Sequence, residues 1–343
     1  MNKKWFSVFV FCLFISVFSF AQTLRNAVVA FYNVENLYDT EDDPLIDDNE
    51  FLPNGKNQWT LERYERKLTS LSTVILKIGE RHAPPVIIGL TEIENRRVLE
   101  DLCNTANLKP LDYGISHFDS PDRRGVDVAL LYQKEKFRVL GEKAYPLIMA
   151  DTGFKTRDQL LVTGILDNED TLHIIVNHWP SKRGGEKKSL PRRIAAAQLT
   201  RHICDSLFEV NKGAKIIVMG DFNDDPTATS IMKYLQPKVK IEQVVEASLY
   251  NPMFKMFKNG TGSYAYRDNW SLIDQIMISK ALINTPQNHF QFQGAYVYSP
   301  AWLKQKIGAF EGFPFRTYAG GAYIGGYSDH FPVYIILTRQ ELK

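Results

Sequence analysis

Short, almost wholly apolar runs that end in polar or acidic residues constrain this chain more than any other feature. Val86-Ile87-Ile88-Gly89-Leu90 and Lys215 to Met219 are of this kind. A strand reads this way when both of its faces are covered. Asn26 to Tyr32, Val126 to Tyr132, Leu272 to Ile278 and Val333 to Leu337 are further strand candidates, and Phe137 to Leu140 is expected to pair with the second. Gln159 to Leu166 and Thr171 to Val176 read as a hairpin turning near Asp167-Asn168. Leu61, Tyr64, Leu68, Leu71 and Ile75 recur at helical spacing behind Thr60, a capping residue. Arg192 to Phe208 predicts a second long helix, and Val98 to Asn104 and Ser230 to Leu235 shorter ones. Hairpins interrupt strict βαβ order, so one sheet with helices on both faces does not fit. Two sheets packed face to face, with helices outside, account for the pattern.

The chain has 343 residues, 44% hydrophobic and 23% charged, enough apolar residue for a sizeable core. No Pro/Gly/Ser linker divides residues 22–343, so one domain is expected there. Residues 1–21 read as a signal peptide: Lys3 and Lys4, an apolar run from Trp5 to Phe20, then Ala21 before Gln22. That run is short for a stable membrane span, so an exported protein, periplasmic or secreted, is expected. Without those residues the chain has 39 basic and 39 acidic side chains. Formal neutrality argues against gripping long duplex by charge alone. Cys103 and Cys204 leave two alternatives, one disulfide or two free buried thiols. No protein partner is indicated.

Polar residues gather at the ends of the apolar runs. Asn33 and Glu35 follow the first, Glu92 and Glu94 the second, and Asn177 and His178 follow Ile174-Ile175-Val176. Asp221, Asn223, Asp224 and Asp225 follow Met219, and Ser328, Asp329 and His330 precede the last strand. Sheet ends let loops hold side chains on a rigid frame. Carboxylates and amides without cysteine favour Mg²⁺, Mn²⁺ or Ca²⁺ over structural zinc.

The segments Asn33-Val34-Glu35-Asn36-Leu37, Thr91-Glu92-Ile93-Glu94-Asn95, Asn177-His178-Trp179, Gly220-Asp221-Phe222-Asn223-Asp224 and Ser328-Asp329-His330-Phe331-Pro332 stand in this order. Together with Arg124, Gly125, Asp127 and Ile273-Asp274-Gln275-Ile276, they resemble the signature blocks of the endonuclease/exonuclease/phosphatase superfamily, the DNase I-like group. The resemblance runs from about Asn26 to Ile336. It implies an α/β fold, a four-layer α/β/β/α sandwich (α+β in some schemes). It also implies hydrolysis of a phosphate ester with a divalent metal, usually Mg²⁺, with Mn²⁺ or Ca²⁺ as alternatives.

The resemblance further assigns roles. Glu92 matches the metal-binding glutamate, and Glu35 and Asp329 match acids at the metal site. Asn33 matches an asparagine supporting metal or phosphate. Asp221 and Asn223 match an Asp-x-Asn pair, one acting on the attacking water and the other donating to phosphate. His330 matches the histidine near the C-terminus, and Asp274 the acid that orients it. His178 is similar to a histidine that contacts the scissile phosphate or protonates the leaving oxygen. Arg124 is a candidate phosphate clamp through its fork of donors. Whether Asp221 or His330 is the general base stays open.

The substrate stays open too. A secreted phosphodiesterase acting on nucleic acid leads. A phosphatase or phospholipase C-like hydrolase, acting on a small molecule or lipid head group, is the alternative. A binding protein of the same fold without catalysis is a third reading. Lys182, Arg183, Lys187, Lys188, Arg192 and Arg193 form a basic run after His178 that suits a polyanion or a solvated face. Asp39 to Glu50 reads as an acidic solvated loop, and Gly308 to Gly326 as a long ordered, aromatic-rich loop.

Overall fold

A computed structural model describes residues 23–149, 151, 153–267 and 269–341. The expected signal peptide lies outside the described residues. Two six-stranded sheets form the frame. The first holds β1 (Thr23–Leu37), β2 (Ile87–Ile93), β3 (Tyr113–His117) and β4 (Asp127–Gln133). The second holds β5 (Phe137–Tyr145), β6 (Gln159–Leu166), β7 (Asp170–His178), β8 (Lys215–Asp221) and the short β9 (Leu249–Tyr250). A small hairpin, β10 (Tyr264–Tyr266) and β11 (Asn269–Ser271), precedes β12 (Asp274–Ser279) of the second sheet. β13 (Gln291–Val297) belongs to the first sheet; then come the two-residue strands β14 (Tyr318–Ala319) and β15 (Ala322–Tyr323). β16 (Val333–Glu341) closes the first sheet beside β1.

The first sheet runs β13-β16-β1-β2-β4-β3, and the second β5-β6-β7-β8-β12-β9. Each has one central parallel pair, β1 with β2 and β7 with β8, flanked by antiparallel neighbours. Alternate residues of these strands enter different cores. Val29, Phe31, Ile87 and Leu130 of the first sheet meet Val162, Ile174, Val176 and Met219 of the second. On the outer face of the first sheet, Val28, Ala30, Ile88 and Leu90 cluster with Leu68, Leu71 and Ile75 of α1 (Leu61–Lys77) and Val98 of α2 (Arg96–Cys103). Ile175, Ile216 and Val218 cluster with Ala197, Ile203 and Phe208 of α3 (Glu186–Val210) on the outer face of the second. Both faces of the central strands are thus dry, which explains their unbroken apolar runs. The layers are α/β/β/α, the sandwich expected. A short α4 (Met253–Lys258) packs at the far edge. At Gly89 the sheets approach so closely that a Cβ would stand 2.6 Å from Met219 Sδ.

Some boundaries and one pairing differ from the sequence reading: β5 pairs with β6 in the second sheet, not with β4. α3 begins at Glu186, six residues before Arg192, and runs through Pro191. Its first turns are charged and lack a periodic apolar stripe, so pattern alone misses them. They are fastened instead by Arg193, whose guanidinium bonds Glu186, Ser189 and Asp224. β3 and β13 were not expected, being short or built from half-buried edge residues. Cys103 and Cys204 are both free and lie in different layers, which settles the disulfide alternative against a bond. Among the described residues, no helix is long and apolar enough to cross a membrane.

Candidate active site

The polar residues at the strand ends converge at one end of the sandwich. Register does much of this work. In the second sheet His178 pairs with Asp221 across the parallel β7–β8 ladder, and Asp274 pairs with Asp221 across β8–β12. Three side chains are thereby set side by side before any side-chain bond forms. The first sheet joins through Asn33, whose Nδ2 donates to Asp221 Oδ2 at 3.1 Å. His330, just ahead of β16, reaches across with Nδ1 2.7 Å from Asp274 Oδ2.

Local backbone irregularity aims the first sheet's residues. The β1–β2 register shifts between Asn33 and Leu37, with Glu35 and Asn36 at φ 53° and 52°. Opposite them Glu92 has φ 63°, and its Oε2 accepts from Asn36 N at 3.0 Å. Left-handed backbone at three non-glycine residues is costly and is concentrated where strand ends are bent towards a site. Asn223 repeats the device at φ 50°: its N–H donates to Asp221 Oδ1 at 2.8 Å, and its Nδ2 donates to Trp179 O at 3.0 Å.

These ends border a cavity of about 810 Å³. Glu92, Arg124, His178, Asp221, Asn223, Asp329 and His330 line it. Asn33 and Asp274 stand behind, each held against a lining residue. Glu35 is not among the lining residues. Its Oε2 accepts from Thr317 N at 2.7 Å and lies 3.7 Å from Lys67 Nζ, while burial and the nearby Asp329 push its pKa up. The residue expected at the metal is therefore engaged in a buried ion pair.

Three titrations diverge. Burial pushes the Asp221 carboxyl up, and Asp274 adds to this. For His330 burial works to lower the pKa, but Asp274, Asp329 and Asp221 outweigh it and hold the imidazole well above its usual range. His178 is depressed far below by burial and by Arg157 and Arg124, so it is neutral. His178 Nε2 lies 3.7 Å from Asp221 Oδ2 and 4.0 Å from Glu92 Oε1. One cationic and one neutral imidazole thus face a buried carboxylate, an arrangement that separates acid and base tasks.

Asp221, Asp274 and, with its ring deprotonated, His330 offer ligand atoms within 4.8 Å of one another, and Asp274 Oδ1 is buried without a hydrogen-bond partner. Packed oxygens with an unsatisfied buried acceptor suit a divalent cation. A second group of this kind, His117, Asp119 and Asp127, lies apart from the cavity lining. There Asp127 accepts from Ser120 N at 2.8 Å and sits 3.0 Å from His117 Nε2, which ties down the loop that carries Arg124.

Several residues escaped the sequence reading. Arg157 is buried in the cavity wall, with Nη1 3.1 Å from Asp122 Oδ2 and Nη2 donating to Trp179 O at 2.7 Å. Ser263 Oγ donates to Asp274 Oδ2 at 2.5 Å, and Tyr264 lays its ring 4.8 Å from that of His330. Arg157 precedes the apolar strand β6 and stands in no motif. Ser263 and Tyr264 carry no motif.

Over residues 28–339 the chain matches the Endonuclease/Exonuclease/phosphatase family. Its fold is similar to that of a family protein from Bacteroides thetaiotaomicron, at 16% identity and TM-score 0.56, covering 94% of this chain and 100% of that one. The mannosyl-6-phosphatase of the same organism has 17% identity and TM-score 0.54, with 91% and 99% covered. D. rerio TDP2, complexed with a single-strand DNA product, has 13% identity and TM-score 0.55, with 91% and 98% covered. No curated protein sequence matches the chain. The sandwich, the clustered metal-chelating side chains and this match together show that the chain belongs to the Endonuclease/Exonuclease/phosphatase family of metal-dependent phosphoesterases.

Proposed function

We propose that the protein hydrolyses phosphodiesters with Mg²⁺, with nucleic acid the leading substrate. The observation that carries this reading is the convergence of Glu92, His178, Asp221 and His330 on one cavity, with Asp274 and Asn33 fixing two of them from behind. Glu92 and Asp329 would hold the ion beside the Asp221–Asp274–His330 group. When bound, it supplies positive charge against a non-bridging phosphate oxygen.

The chain's own residues do the rest. Asp221 is oriented by Asn33 Nδ2 and Asn223 N–H and takes the proton of the attacking water. Burial raises its affinity for a proton. His330, kept cationic by Asp274, holds the phosphate as charge develops. Asn223 spends one N–H on Trp179 O and keeps the other for a phosphate oxygen. Neutral His178 hydrogen-bonds the same group, and Arg124 clamps it from the cavity wall.

Phosphomonoester hydrolysis is the second reading. It is favoured by the cavity volume, about 810 Å³, which fits a compact substrate. The fold neighbours include both a DNA-bound protein and a sugar phosphatase, so both readings have a precedent in shape. A panel of plasmid DNA, RNA, sphingomyelin, inositol phosphates and an aryl phosphodiester, each with Mg²⁺, tests the proposal. Diester cleavage lost in Asp221→Asn supports it. Release of phosphate from monoesters alone would transfer the site to the second reading.

A further inference from the structure

The cavity has two unlike walls. The acidic one, already described, is built from Glu92, Asp221 and Asp329. The other comes from residues 122–124 before β4, residues 151 and 153–157 before β6, residues 180–183 ahead of α3, and Arg192 within α3. It holds far more cations than carboxylates. Arg157 shares Asp122 with Arg124, whose Nε is 3.7 Å from it. Arg192 has Asp151 at 3.7 Å and stacks on Phe154 at 3.9 Å. Lys182 is held 3.3 Å from Asp224. Arg123 donates, among the described residues, only to the carbonyl of Gly153. Among the described residues, Lys155 and Arg183 line the cavity with no ion pair or hydrogen bond at all.

The whole chain has a formal net charge of +2, so this excess is local rather than an average property. Burying Arg157 adds to the argument. A buried guanidinium is costly unless its charge is used, and Asp122 is shared, leaving Arg157 Nε without a partner. The scissile phosphate is already served by His330, His178, Asn223 and Arg124. The wall of Lys155, Arg157 and Arg183 is therefore surplus to a substrate with a single phosphate.

Resting on the phosphoesterase reading above, we propose that this wall is a second anion subsite, and that the preferred substrate carries another phosphate group beside the scissile one. Such a group is either the next phosphate of a nucleic-acid strand or the second phosphate of a compact bisphosphate. Both present the same chemistry to guanidinium and ammonium donors.

The test compares substrates that differ by one phosphate. The dinucleotide TpT and its 5′-phosphorylated form pTpT make one pair; glucose 6-phosphate and glucose 1,6-bisphosphate make the other. The variant is Lys155→Ser/Arg183→Ser, which removes two exposed, unpartnered side chains and leaves the proposed catalytic residues in place. Wild type is expected to prefer the extra phosphate in one pair by about tenfold in kcat/KM, and the variant to lose that preference while single-phosphate rates stay within about twofold. The responding pair identifies the source. Equal rates for both members of each pair in wild type, or an equal loss on both in the variant, would overturn the subsite. Calorimetric binding of thymidine 3′,5′-bisphosphate in EDTA separates the two readings. Binding weakened in the variant, without hydrolysis of any substrate, keeps the subsite and removes the phosphoesterase. Hydrolysis with unchanged binding does the reverse.

Discussion

His330 Nδ1 and Asp274 Oδ2 stand 2.7 Å apart across the join between the two sheets, one just ahead of β16 and the other on β12. The carboxylate fixes the ring and outweighs burial to keep it charged. Asp274→Asn keeps size and removes charge. It is expected to lower kcat by about 10²–10⁴, with little change in melting temperature. Steady-state rates beside a thermal melt decide this. A variant as fast as wild type would show that the pair has no part in turnover.

Asn223 holds φ 50° while its side chain reaches Trp179 O. Asn tolerates this backbone better than Ala does. Asn223→Gly is expected to fold as stably as wild type but turn over slowly. Asn223→Ala should be slow and also less stable, by about 1 kcal/mol. Urea unfolding of both variants separates backbone strain from the lost amide; equal stability of the two would refute the strain argument.

The layering was legible in the sequence because Val86 to Leu90 and Lys215 to Met219 are apolar on both faces, and only strands covered on both sides need that. The cluster was legible too, since Glu92, His178, Asp221 and His330 each end or precede such a run. Arg157 was not, because its meaning depends on Asp122 and Trp179, 35 and 22 residues away. The engagement of Glu35 was equally hidden. It is set by Lys67 on α1 and Thr317 in the aromatic loop, contacts that no local pattern encodes. The first turns of α3 were hidden for a third reason: charged residues there are held by ion pairs rather than by an apolar stripe.

Asp224 is buried just beyond the end of β8, and its contacts bear on stability. Oδ2 accepts from Arg193 Nε at 2.7 Å and from the Ser230 hydroxyl, with both ionic partners buried. Asp224→Ala leaves Arg193 buried with the Ser189 hydroxyl and a single, half-exposed ionic partner, Glu186. The expected loss is about 3–5 kcal/mol. Denaturant unfolding measures it, and a loss under about 1 kcal/mol would show that the pair relaxes at little cost.

Asp170 predicts how the protein responds to acid. Burial works to raise its pKa, but Lys215, the Phe290 N–H and His289 more than offset this and hold the carboxyl below 3.8. The folded value is depressed, so the stability it contributes is complete above the unfolded pKa of 3.8 and is lost as pH falls through the lower folded value. Asp170→Asn should melt below wild type at pH 7, with the gap narrowing below pH 4. A gap that stays constant down to pH 2 would show that the carboxylate charge is not its source.

The account rests on a cation and a phosphate sharing the space between Glu92, Asp221 and His330. Hydrolysis of bis(p-nitrophenyl) phosphate by metal-stripped protein tests it most directly. The account predicts no turnover in EDTA, recovery on adding Mg²⁺, and a rate about 10²–10³ below wild type for Asp221→Asn under the same conditions. An undiminished rate in protein verified to be free of metal would contradict it.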